Sequence, residues 1–248
     1  MEHPEHCDAL AIEIERFATI LEHAPTLTRV PSCPGWTTLT LAEHLGTVHQ
    51  WTQSLVHARA SQRISPANME LDRGPVDATW LRRGGERLLA TLRNADPDES
   101  MWAWGPDQHV RFWSRRQLHE TLVHRMDLEL ALGAAPGTEI LIAGDAIDEF
   151  LVNLSDAARF SPGVREIRGR GERLGIRTSD SEMSWVVELS EDGFRVSSDD
   201  NPVDAELCGR AIDLLLVLYR RRNVDDTSVT ISGERALIEF WLAHSALE

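Results

Sequence analysis

The stretch SRRQLHETLVHRMDLELALGAAP, Ser114 to Pro136, decides the fold. From Ser114 to about Leu132 its apolar residues recur at helical spacing, and Gly133 with Pro136 beyond it is a normal helix stop. Upstream lie three more segments of the same kind. Leu10, Ile14, Phe17 and Leu21 mark a helix from Asp8 to about His23, which Pro25, Pro31 and Pro34 prevent from continuing. A second helix starts after Gly35 and Trp36, with Thr37 or Thr38 as caps, and runs to roughly Arg63. A third covers Val76 to Arg93. Met101 to Trp113, with its tryptophans and Gly105-Pro106, reads as a packed loop. Four long amphipathic helices make a bundle.

Downstream of Pro136 the period changes. Ala143–Ala158 is a further helix, but Ile167–Arg177 and Trp185–Val196 alternate with the two-residue period of strands, and Glu191-Asp192-Gly193 reads as a hairpin turn. A strand at Ala205–Cys208 leads into the apolar helix Ala211–Tyr219. A short strand, Ser228–Ile231, and a helix from Glu234 to about His244 close the chain. The expected architecture is α+β: a four-helix bundle over residues 1–136 and a small α+β domain over 137–248.

Composition narrows the chemistry. The 248 residues carry a formal charge of −15, and all 25 basic residues other than histidine are Arg, so lysine Schiff bases and P-loop lysines are excluded. The acidic balance disfavours nucleic acid and anionic membranes as partners. Cys7, Cys33 and Cys208 are scattered and odd in number, so neither a disulfide framework nor a thiolate zinc cluster is indicated, and a reducing cytoplasm is expected. No run is long and apolar enough for a membrane helix.

Glu120 and His124 stand at i and i+4, with Asp127 on the same stripe, bordered by Val123, Leu128 and Leu130. Ionisable groups on an inward face need a partner or a metal, because an unpaired buried charge is too costly to keep. His44 on the second helix could supply a third ligand. His49 competes with it but lies about 140° around the helix, so the two cannot face one centre. Two imidazoles and a carboxylate suit zinc or a similar divalent ion. From spacing alone, a surface Glu–His pair and a satisfied core histidine are the simpler explanation of these residues.

Read together, Val30-Pro31-Ser32-Cys33-Pro34-Gly35-Trp36-Thr37, Leu41-Ala42-Glu43-His44-Leu45 and Glu120-Thr121-Leu122-Val123-His124-Arg125-Met126-Asp127 resemble the N-terminal domain of the mycothiol-dependent maleylpyruvate isomerase family, within the DinB-like metal-binding four-helix bundles. Cys208-Gly209-Arg210 through Tyr219-Arg220-Arg221 resembles that family's C-terminal α+β domain, similar in shape to sterol carrier proteins. The resemblance spans nearly the whole chain. It implies a divalent metal, usually zinc, held by His44, Glu120 and His124, with mycothiol as a thiol cofactor whose metal-activated sulfur attacks a small electrophile. The all-Arg composition fits a GC-rich genome, and mycothiol belongs to GC-rich actinobacteria.

Other residues keep two readings. Cys33 is a reactive thiol or, more simply, a small group on which Trp36 packs. Trp36 lines a cofactor pocket or belongs to the core. Arg125 and Asp127 surround the metal ligands or form an ion pair within the bundle. Arg220 is the candidate for a cation reaching a substrate carboxylate, although Arg220–Arg222 also suit a helix C-terminus. The alternative function is a non-catalytic small-molecule-binding protein on the same scaffold. A scaffolding protein has only the acidic surface in its favour.

Overall fold

The computed structural model describes residues 1–246, which fall into two compact units divided after Pro136. In the first unit four helices pack together: α1 (His3–Leu21), α2 (Thr38–Ala58), α3 (Ala78–Asn94) and α4 (Val110–Ala131). Helix α1 lies against α3 and α4, and α2 against the same two. Their ends follow local chemistry. Glu2 and Glu5 close a capping box at the start of α1, Thr37 accepts from the Thr40 N–H at the start of α2, and Asp77 accepts from Trp80 at the start of α3. At Gly46 a β-carbon would sit 2.0 Å from the Trp80 ring, so this glycine is what brings α2 onto α3.

In the first unit three boundaries differ from expectation by about a turn or more. Helix α1 begins at His3 rather than Asp8, because the capping box lies upstream of the apolar stripe. Helix α2 stops at Ala58, where Arg59 turns into the left-handed region with φ +47°, short of Arg63. Helix α4 starts at Val110, one turn before Ser114. The tryptophans that suggested a loop explain this last difference. Trp51, Trp102 and Trp113 form one aromatic cluster with centroids 5.4–6.2 Å apart, so helical Trp113 and loop Trp102 belong to the same core.

In the second unit a five-stranded sheet has the order β3-β2-β1-β4-β5, where the strands are β1 (Arg173–Thr178), β2 (Ser184–Ser190), β3 (Gly193–Ser197), β4 (Ala205–Gly209) and β5 (Thr230–Gly233). Only β1 and β4 run parallel; the other pairs are antiparallel. Strands β2 and β3 form the expected hairpin, closed by Ser190 opposite Gly193. Helices α5 (Ile140–Ala157), α6 (Ala211–Leu218) and α7 (Arg235–His244) pack on the sheet, with Trp241 of α7 edge-on to Phe194 at 5.3 Å. Strand β1 starts six residues later than the alternation from Ile167 implied. The chain leaves a 3₁₀ turn at Pro162–Glu166, and Gly171 at φ +107° keeps the stretch before β1 irregular. Strand β5 is shifted to Thr230–Gly233 from Ser228–Ile231. The chain is thus α+β, as its change of period indicated. Among the described residues no helix is long and apolar enough to cross a membrane.

Candidate metal centre

The centre lies where the second turn of α2 meets the middle of α4. His44 from α2 and His124 from α4 both place Nε2 on the same oxygen of Glu120, Oε1, at 3.1 and 3.2 Å. The two imidazoles stand nearly perpendicular, with ring centroids 5.0 Å apart. One donor atom from each of His44, Glu120 and His124 can be chosen such that all three lie within 4.8 Å of one another. The helical period brings Glu120 and His124 together on α4, one turn apart. Packing of α2 on α4 brings His44 to them.

Each member has further support. Arg116, one turn before Glu120 and buried, donates to the other carboxylate oxygen, Oε2, at 3.2 Å. Nδ1 of His124 donates to Oδ2 of Asp127 at 2.9 Å, and Asp127 is fully buried. The turn before α2 reaches the same carboxylate: the Ser32 hydroxyl donates to Oδ1 at 2.6 Å and the Cys33 thiol to Oδ2 at 3.6 Å. That turn is closed by the Val30 N–H on the Trp36 carbonyl and by Gly35 at φ +86°, a conformation suited to glycine. It sets the Trp36 ring 4.8 Å from His44 and 6.2 Å from His124, the latter stacked.

The charges are strongly coupled. Burial opposes a charge on Glu120, yet His124, His44 and Arg116 together hold its carboxyl well below the usual carboxylate range. Burial likewise disfavours charge on His124, but Glu120 and Asp127 more than reverse this and raise the imidazolium to about 9. The imidazolium of His124 and the carboxylate of Glu120 thus stabilise each other. Proton and divalent ion compete for such a donor set.

His49 does not join the centre. It is fully buried, with Nε2 2.9 Å from the Thr121 hydroxyl, and burial lowers it to about 4. Cys33 and Trp36 both pack at the margin of the core formed by Phe17, Val30, Leu41, Leu45 and Trp80. Arg125 is buried in an ion pair with Glu13 at 2.6 Å. Arg220 lies in the second unit, exposed, where the chain leaves α6 at φ +58°. Two residues of the centre went unread in the sequence. Arg116 was signalled by its i, i+4 spacing to Glu120, whereas Ser32 reaches Asp127 across 95 positions and had no local signal.

Family comparison agrees over both units. Residues 7–129 match the model of the mycothiol maleylpyruvate isomerase N-terminal domain, and residues 142–240 match that of the same family's C-terminal domain. The crystal structure of a mycothiol-dependent maleylpyruvate isomerase is similar with a TM-score of 0.58 and 17% identity, over 94% of this chain and 95% of that one. A histidine-to-alanine mutant of that enzyme aligns over the same shares with a TM-score of 0.58 and 16% identity. At such identities the likeness shows the fold. No curated protein matches the sequence. With both domain models matched in order, the chain belongs to the mycothiol-dependent maleylpyruvate isomerase family.

Proposed function

We propose that the protein is a divalent-metal-binding, mycothiol-dependent isomerase or S-transferase acting on a small electrophile in the cytoplasm. The observation that carries this reading is the convergence of His44, Glu120 and His124 on one point, in a chain that matches both domains of the family. In this reading residues 1–136 hold the metal and residues 137–248 form the family's C-terminal domain, from which Arg220 is the candidate to hold a substrate carboxylate.

The donor set fits the ion. Two imidazole nitrogens and one carboxylate oxygen satisfy the preferences of zinc, and also those of iron, nickel or manganese, and three protein ligands leave coordination free for a cofactor. When bound, the ion would lower the pKa of a coordinated thiol so that the thiolate is the attacking form. The chain's own residues prepare this. Arg116 engages Oε2 of Glu120 and so leaves Oε1 as the ligand oxygen. His44 and His124 present Nε2 on that same side. Trp36 covers the imidazoles with an apolar ring, shielding one flank from water and offering a surface to a cofactor.

The test is turnover of a reactive electrophile by the metal-loaded protein with and without mycothiol. The reading predicts a rate that depends on the thiol; equal rates in both arms would contradict it.

A further inference from the structure

The two histidines of the centre are held differently. His44 packs its ring against Trp36 and carries a side chain 35% exposed, whereas His124 is clamped from both nitrogens, by Glu120 on Nε2 and by Asp127 on Nδ1. Asp127 is fully buried and takes donors on both of its oxygens: Ser32 on Oδ1, Cys33 and His124 on Oδ2. A carboxylate can only accept, so the proton of a neutral His124 must sit on Nδ1, and the lone pair on Nε2 faces the point shared with Glu120 and His44. Ser32 and Cys33 belong to the turn that also carries Trp36, so one carboxylate ties that turn to one imidazole.

We propose that Asp127 is the positioning residue of the centre. It fixes the tautomer and the ring orientation of His124 and makes Nε2 its ligand atom, and Ser32 fixes Asp127 in turn. His124 is then the rigid anchor of the site and His44 the adjustable ligand. This rests on the metal-binding reading above, but concerns a residue that touches no ion.

The experiment measures affinity for Zn²⁺ and Co²⁺ by chelator competition, without any turnover assay, in the wild-type protein and in Asp127→Asn. The amide keeps one acceptor oxygen but loses the other and the charge, so affinity should fall by roughly 10- to 100-fold and the Co²⁺ absorption bands should shift. A purely structural Asp127 would lower the melting temperature of the metal-free variant and leave affinity and spectrum unchanged, which would overturn the proposal. A second measurement needs no variant. In zinc-loaded wild-type protein with ¹⁵N-labelled histidine, the His124 resonances should report a protonated Nδ1 and a metal-bound Nε2; metal on Nδ1 would refute the assignment of Asp127. Failure of the wild-type protein to bind either ion would instead overturn the metal-binding reading itself, so the two failures are distinct.

Discussion

Helix α2 sends two histidines towards α4, five residues apart, and the protein uses them in opposite ways. His44 meets Glu120 near the surface and keeps a side chain one-third exposed; His49 meets Thr121, the next residue along α4, in complete burial. At the first, a carboxylate and a second imidazole stand ready for a cation. At the second, a single neutral hydroxyl is the partner, and burial keeps the imidazole uncharged at neutral pH. Neighbouring contacts between the same two helices thus become a candidate ligand site or core according to whether a carboxylate faces the histidine.

Acid separates the two histidines most strongly. The folded pKa of His49, about 4, lies below its usual 6.5, so under pH 6.5 the unfolded chain takes up a proton that the folded chain refuses. Its contribution to stability is therefore complete above about pH 6.5 and is lost as the pH falls towards 4, a change of about 3 kcal/mol. Urea unfolding of His49→Gln across this range should show a dependence on pH flatter than wild type by about that amount. Parallel curves for the two proteins would mean that His49 is not held neutral.

A smaller effect separates the two histidines at fixed pH. At pH 8, His49→Gln should cost about 1–2 kcal/mol through lost packing and hydrogen bonding, yet leave affinity for Zn²⁺ within about threefold of wild type. A large loss of affinity would place His49 among the ligands. The smallest change in stability belongs to His44→Ala, less than about 1 kcal/mol because the side chain is partly exposed, but here affinity should drop by at least about tenfold. Wild-type affinity in that variant would remove His44 from the centre.

Much of this was legible in the sequence because it is local. Four helical periods, the stop at Gly133, the hairpin at Glu191–Gly193 and the Glu120–His124 spacing all depend on residues within a turn or two of each other. The geometry of α2 also separates His44 from His49 without any structure, since five residues turn the helix by about 140°. What escaped depends on contacts between distant segments. The start of α4 was hidden because its Trp113 completes a cluster with Trp51 on α2 and Trp102 of the loop, and the clamp on His124 because Ser32 and Cys33 arrive from a turn more than ninety positions away. The shift of β1 reflects Gly171, whose positive φ interrupts an otherwise strand-like alternation.

The metal-binding reading puts one divalent ion on His44, Glu120 and His124. It is tested most directly by elemental analysis of protein purified without chelators, alongside a His124→Ala variant shown by circular dichroism to be folded. About one divalent ion per wild-type chain is expected, and little or none in the variant. Wild-type protein that neither contains nor takes up a divalent ion, or a folded His124→Ala protein with normal metal content, would contradict it.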